Sequence, residues 1–246
     1  MSGKEGILMN DDDNVHDDYS KSNAERFGWA GFTPAPINQE RLGVITRNII
    51  GPKVLDAGCG SGALTDHFSR LGFDVVGLDY HDFCLLEAKN RGHMGHYLKA
   101  DLTTTLPFRD NEFDTTYCCD VLEHVDDQLV LKELARVTAK RIIFMVPQNA
   151  TNLLQYGLLL PTYQDPTHLR YYTESMLYLL ATSVSPKVVT VYGEQKIPIN
   201  SLLKAYFSPD SRYQFVGSVY RSISRFLIAR NPEPELYMNW VCILDF

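Results

Sequence analysis

Three aspartates, Asp56, Asp79 and Asp101, stand 23 and 22 residues apart, and the first runs into the glycines of "DAGCGSG" at Gly58, Gly60 and Gly62. A carboxylate is an acceptor-only group with room for several hydrogen bonds. A glycine turn lets a ligand approach the backbone where a Cβ would stand in the way. The glycines by themselves fit two ligands, since Gly58, Gly60 and Ala63 satisfy G-x-G-x-x-A, the pattern that seats a dinucleotide pyrophosphate, with Asp79 at the spacing of a ribose contact. Asp56 separates the two. A pyrophosphate on this turn would bring its charge against a carboxylate, whereas a cationic ligand would gain from one. Asp79 can accept from both ribose hydroxyls, and Asp101 from an exocyclic adenine amine while Leu102 packs on the ring. Three acids in this order describe an adenosine without phosphates and with a cationic tail.

A second constellation follows. "CDVLEHV" carries Asp120, Glu123 and His124, with Asp120 and His124 at i and i+4, and "YQDPTHLRYYT" carries Asp165, His168, Arg170, Tyr171 and Tyr172. Imidazole is the side chain whose ordinary pKa suits proton transfer near neutrality. His168 reads as a general base with His124 in support, although each imidazole also fits a static role that ties a loop down. Arg170 suits an anionic group or a loop lock through Asp165, and Tyr171 lies in the same stretch. Asp120, Glu123, His124 and His168 make a ligand set that a divalent metal accepts, but four donors of unknown geometry do not assign a metal, and the reading assigns none.

Hydrophobic periodicity places these residues on elements. "QERLGVITRNII" has helical spacing and breaks at Gly51 and Pro52. Strands are expected over "KVLDAG", "DVVGLD", "GHYLKAD", "FDTTYCC" and "RIIFMVP", with helices over "ALTDHFSRLG", "HDFCLLEAKNRG" and about 127–138 between them. The interval between acids is one strand, one helix and two short loops, the repeat of a parallel sheet. Farther on, "YTESMLYLLAT" reads as a helix, "KVVTVYG" as a strand, "GSVYRSISRFLIAR" as a helix, and "YMNWVCILDF" as a closing strand, antiparallel at or near an edge.

The acidic run "DDDNVHDD" makes residues 1–18 a loosely attached arm. Residues 19–246 read as one α/β domain with insertions near 148–170 and 194–213, and Tyr19, Phe27 and Trp29 as an N-terminal lid over the substrate. A net charge of -7 and a 45% hydrophobic content describe a chain that buries a core and has no general attraction for nucleic acid or anionic membranes. No apolar run reaches 18 residues and no signal-peptide core opens the chain, so a cytoplasmic protein, monomer or homodimer, is expected, with a small-molecule substrate. Five cysteines without C-x-x-C spacing point to neither a zinc set nor disulfides.

Taken in order, "VLDAGCGSG", "VVGLD", "KADL" and "LPFRDNEFDTTYCCDVLEHV" resemble the class I S-adenosylmethionine-dependent methyltransferases, and within them the small-molecule, type 11-like group. The resemblance covers about residues 45–185. It implies a Rossmann-like sheet of seven strands in the order 3-2-1-4-5-7-6, strand seven antiparallel, with S-adenosylmethionine above the carboxyl ends of strands one to four. It further implies cofactor contacts at Asp56, Gly58, Gly60, Asp79, Tyr80, Asp101, Leu102 and Cys119, a catalytic role for His168 and His124, and substrate contacts at Tyr19, Trp29, Arg170 and Tyr171. Four alternatives stay open. A nicotinamide oxidoreductase would use the dinucleotide pattern, and a catalytically inactive methyltransferase-like binding subunit would keep the fold. An RNA methyltransferase is the third. The fourth, a metal-assisted RNA 2'-O-methyltransferase, expects glutamate where Asp120 stands and two later histidines where this chain has His168.

Overall fold

The computed structural model describes residues 37–149, 165, 167–197 and 236–246. The expected arm, Tyr19, Phe27, Trp29, the helix over "GSVYRSISRFLIAR" and most of both insertions lie outside the described residues.

Helix α1 (Gln39–Asn48) starts where the Asn38 side chain accepts from the amides of Glu40 and Arg41, which satisfies two donors that the first turn leaves without helical partners. The βα repeat then runs as β1 (Lys53–Ala57), α2 (Ala63–Arg70), β2 (Asp74–Asp79), α3 (Asp82–Asn90) and β3 (His96–Lys99). After β4 (Phe113–Cys119) come a short 3-10 turn (Leu122–His124), α4 (Asp127–Val137) and β5 (Thr138–Pro147). Helix α5 (Glu174–Thr182), β6 (Val188–Lys196) and β7 (Tyr237–Asp245) complete the described elements.

The seven strands form one sheet in the order β3-β2-β1-β4-β5-β7-β6. Strands β1 to β5 pair in parallel, and β7 runs antiparallel to both neighbours. The closing strand therefore sits inside the sheet, while β6 takes the edge. In β7, Val241, Cys242 and Leu244 are completely buried, and a strand covered on both faces reads as a continuous apolar run. The same logic governs β5, where Ile142, Phe144 and Val146 enter one core cluster and Ile143 and Met145 the other. The first cluster packs against α4 and α5 through Val130, Leu134 and Leu177, the second against α1 and α2 through Val44, Ile45 and Phe68.

Parallel strands put their carboxyl ends on one side, and the crevice outside those ends is where an open α/β sheet binds ligands. The tips of β1, β2 and β4 carry Asp56, Asp79 and Cys119 there. Among the described residues, no helix is long and apolar enough to cross a membrane.

Candidate active site

The turn between β1 and α2 is built from left-handed glycines. Gly58 has φ +82°, and a Cβ there would lie 2.3 Å from Cγ2 of Val121; at Gly62, φ +78°, it would lie 2.4 Å from the Tyr97 hydroxyl. The amides of Gly58 and Cys59 both donate to the Leu78 carbonyl at 2.9 and 2.7 Å, that of Gly62 to the Cys59 carbonyl at 2.9 Å, and that of Gly60 to Oδ2 of Asp79 at 2.8 Å. The turn thus spends these donors on its own fold. What remains is a shaped, Cβ-free surface rather than the converging N–H groups that seat a phosphate.

Asp79 is the brace of this arrangement. Besides the Gly60 amide, its Oδ1 accepts from the His81 amide at 2.9 Å and lies 3.3 Å from His81 Nδ1. A carboxylate offers about four lone-pair sites, so the same group that shapes the turn keeps capacity for a ligand's hydroxyls. Asp101 follows β3, and its Oδ1 accepts from the Thr103 amide at 2.8 Å and the Thr103 hydroxyl at 2.7 Å. Tyr80 is exposed at the tip of β2, its ring edge-on to His81. Cys119 is half-buried at the end of β4, and burial holds its thiol neutral by raising its pKa.

Two of the residues expected at the cofactor are buried. Leu102 belongs to the same hydrophobic core cluster as Leu55 and Leu78 and is 8% exposed. Asp56 is not a charge at the crevice mouth. It is 3% exposed, its Oδ2 accepts from the Thr65 hydroxyl of α2 at 2.6 Å, and the Tyr117 hydroxyl of β4 stands beside it, so that burial pushes its pKa up to about 7. The residue ties β1 to α2 through this bond.

That shift has a measurable sign. The folded pKa lies above the unfolded value of 3.8, so between those two values the unfolded chain loses its proton while the folded chain keeps it. Asp56 therefore contributes a loss of stability as pH rises from about 4 to 7, and no further change above that, with an upper bound on the order of 4 kcal/mol. Asp56→Asn, whose amide oxygen can still accept from Thr65, is expected to gain on the wild type between pH 4.5 and 8 in thermal melts. Parallel curves for the two proteins would rule this out.

Asp120 occupies a left-handed position, φ +55°, directly after β4. Arg41 of α1 clamps it with both terminal nitrogens, at 2.5 and 3.2 Å. The Arg41 side chain is 14% exposed, and its guanidinium feels Asp120, Cys119 and Glu194. Nothing in the chain's motifs singles out Arg41, one of two arginines in the helix that precedes the glycine turn. A further tie joins Oε1 of Glu40 to the Gln195 amide at 2.9 Å, so α1 is fastened to both β4 and β6 at the crevice end.

The second constellation splits. Asp120 goes to Arg41, whereas Glu123 and His124 on the 3-10 turn converge with His168 from the loop before α5. The two imidazole rings meet edge to face at 4.6 Å, and Tyr171 packs its ring 5.4 Å from His168. Nδ1 of His124 lies 3.2 Å from the Thr167 carbonyl and 2.9 Å from the Thr167 hydroxyl, which itself donates to Asp165. A carbonyl only accepts, so Nδ1 carries the proton and Nε2 the lone pair. Burial and the neighbouring His168 lower the His124 pKa to about 4, and burial lowers that of His168. Both rings are neutral at physiological pH. Glu123 is 1% exposed, and burial drives its pKa well up.

Arg170, expected to bind an anionic group or to lock the loop through Asp165, is not paired with Asp165 among the described residues. It donates to the carbonyls of Leu122, at 3.0 Å, and of Val125, and stands 3.6 Å from Asp127. Tyr172 joins it, its hydroxyl reaching Leu122 O at 3.1 Å and Asp127 Oδ2 at 2.9 Å. These bonds satisfy carbonyls at the end of the 3-10 turn and pin the His168 loop to it. Arg170 is the lock, and Asp127 rather than Asp165 is its acid.

Residues 55–146 match the family model described as Methyltransferase domain. Over 97 residues the chain is 35% identical to the ubiquinone biosynthesis O-methyltransferase of Nitrosospira multiformis, covering 37% of this chain and 41% of that one. Over 130 residues it is 35% identical to the malonyl-[acyl-carrier protein] O-methyltransferase of Buchnera aphidicola, 48% and 50% of the two chains. The chain thus spans half the length or less of these two relatives. Among solved structures, a SAM dependent methyltransferase from Archaeoglobus fulgidus superposes with a TM-score of 0.64 at 18% identity, over 91% of this chain and 97% of that one. The magnesium protoporphyrin IX methyltransferase of Synechocystis, with bound SAH, superposes with 0.57 at 18% identity, over 96% and 99%. At such identities the likeness is one of fold.

Proposed function

With a methyltransferase domain matched over residues 55–146 as the premise, we propose that this protein transfers the methyl group of S-adenosylmethionine to a hydroxyl or amine of a small metabolite. The observation that carries the reading is the crevice at the tips of β1, β2 and β4: a glycine turn whose amides are committed internally, braced by Asp79, with Asp101 beyond β3. Such a floor suits a ribose and an adenine better than a pyrophosphate. The fit holds at Asp79, which keeps acceptor capacity for ribose hydroxyls. Asp101 would take the adenine amine, Tyr80 would flank the sugar edge, and Cys119 would line the methionine end near Arg41.

The cofactor, when bound, supplies a methyl group already activated on a sulfonium. The protein's part is then to position the acceptor in line and exclude water. Tyr171, His168 and His124 pack ring against ring near Asp120 and would form a polar wall on the substrate side, where an imidazole lone pair can hold or receive a hydroxyl's proton. The lock made by Arg170 and Tyr172 keeps that wall in place. Support for a small acceptor comes from the O-methyltransferases that the chain matches and from its net charge of -7, which discourages a nucleic-acid substrate.

Calorimetric titration of the full chain with S-adenosylmethionine and with NAD tests the reading: one site for the sulfonium compound and no heat with NAD is the expected result. Tight NAD binding without a response to S-adenosylmethionine would overturn it. A second measurement separates cofactor from acceptor groups. His168→Ala should leave affinity for S-adenosylhomocysteine within about threefold of wild type, because a residue that contacts neither sugar nor base contributes little to it. A loss as large as that caused by removing Asp79 would move His168 into the cofactor site.

A further inference from the structure

The run "DYHDFC", which leads from β2 into α3, carries a carboxylate, an imidazole and a thiol within six residues. His81 is the N-cap of α3, but its side chain makes no capping bond; it turns to Asp79 instead, with Nδ1 3.3 Å from Oδ1. Cys84 stands three residues on, the spacing at which side chains of a helix meet. It is 7% exposed, and its thiol donates to Asp79; burial and that carboxylate keep it neutral by raising its pKa. Asp79, His81 and Cys84 each bring one donor atom to within 4.8 Å of the other two.

We infer that Asp79, His81 and Cys84 form a binding site for one zinc-like divalent ion, and that this ion and the cofactor exclude each other. The exclusion rests on the cofactor reading above; the metal site does not. A thiolate, an imidazole and a carboxylate suit Zn²⁺ or Co²⁺ and disfavour Mg²⁺ and Ca²⁺, which prefer oxygen alone. Metal bonds of about 2.0–2.3 Å place neighbouring donors roughly 3.0–3.7 Å apart. Nδ1 of His81 and Oδ1 of Asp79 already stand at that separation, so the cluster closes by on the order of 1 Å on loading. The Cys84 proton leaves to solvent as the ion binds, because a coordinated thiol is deprotonated. Carboxylate and thiolate then balance the divalent charge, which a half-buried site requires.

The two oxygens of Asp79 accept from the Gly60 amide at 2.8 Å and the His81 amide at 2.9 Å. The lone pairs left over are those assigned to the ribose hydroxyls. An ion on Asp79 takes them and puts a cation at the tip of β2 where the sugar would lie. Zinc is therefore an inhibitor competitive with S-adenosylmethionine, acting without contact to His124 or His168.

The test uses the full chain, reduced, stripped with EDTA, freed of chelator and titrated with cobalt(II) chloride in the absence of any cofactor. A near-ultraviolet thiolate-to-cobalt charge-transfer band should saturate at one equivalent, bleached by zinc(II) and not by magnesium(II). The band needs sulfur on the metal, so cobalt held elsewhere by oxygen and nitrogen donors does not contribute to it. Cys84→Ser, which keeps a hydroxyl donor for Asp79, should abolish the band. His81→Ala should weaken cobalt binding roughly 100-fold, since loss of even an outer-shell partner costs about 10–100-fold. Calorimetry with S-adenosylhomocysteine then reads the exclusion: free zinc at about ten times its own Kd should lower the apparent affinity about tenfold. In Cys84→Ser the metal-free affinity should stay within about threefold of wild type, and zinc should no longer lower it. A wild type without the band, or a band undiminished in both variants, overturns the metal site. S-adenosylhomocysteine binding equally well with the band at saturation overturns the exclusion. Failure of metal-free protein to bind S-adenosylhomocysteine at all overturns the cofactor reading and leaves the absorption result standing.

Discussion

Replacing Asp79 by alanine is expected to weaken binding of S-adenosylhomocysteine by about 100-fold or more, the largest loss of any single substitution at the crevice. Two effects add. The ligand's ribose loses a charged acceptor, worth about 1.5–3 kcal/mol for a hydrogen bond to an ionised group. The Gly60 amide loses its 2.8 Å partner and His81 its 2.9 Å partner, so the turn that receives the ligand is no longer held. Asp79→Asn separates these contributions. Its amide oxygen can keep one of the two backbone bonds, so it should restore part of the thermal stability but little of the affinity, because an amide cannot accept from two ribose hydroxyls as a carboxylate does. Calorimetry with S-adenosylhomocysteine and a thermal melt on the same samples read both quantities. Affinity unchanged in Asp79→Ala would show that the sugar lies elsewhere.

The second large effect falls on a residue with no functional group. Gly58→Ala should destabilise the fold by about 2–4 kcal/mol and abolish measurable cofactor binding. A φ of +82° strains any L side chain by about 1–2 kcal/mol, and the new methyl would meet Val121 Cγ2 at 2.3 Å, a distance that no packed core tolerates without moving something. Val121 leads into the 3-10 turn, so relief of the clash displaces the very segment that carries Glu123 and His124. Combining Gly58→Ala with Val121→Ala removes the collision and leaves the backbone strain. The double variant should therefore recover roughly half of the lost stability, with a coupling of about 1–2 kcal/mol between the two sites. Strict additivity in chemical denaturation would mean that the turn and the 3-10 segment do not press on each other.

These two positions also show how much could be read before any coordinates. Strands β2 and β4 were legible to the residue, and the other elements among the described residues to within a few residues, because alternation, helical spacing and the glycine breaks are local properties of the chain. The order of the sheet came from resemblance; register and burial then explain it, β7 being drawn inward because both its faces are apolar. The place of Asp79 at the end of β2 and the glycine turn after β1 were legible because they follow from residue type and from a spacing that equals one βα unit. Asp56 has the right type and spacing and yet a different role, since whether an aspartate at a strand tip faces a crevice or a helix depends on the pleat and on the neighbour that meets it, here Thr65.

Partnerships across long sequence distances belong to the tertiary structure alone. Arg41 and Asp120 are 79 residues apart, and Arg170 reaches back 48 residues to the carbonyl of Leu122. Neither pairing leaves a local pattern, because such contacts depend on how the helices stack on the sheet. Residue type determined what each group in "CDVLEHV" and "PTHLRYY" could do chemically. Only packing decided that Asp120 would turn to an arginine while Glu123, His124 and His168 were driven together, since desolvation and the donors within reach are set by the fold around them.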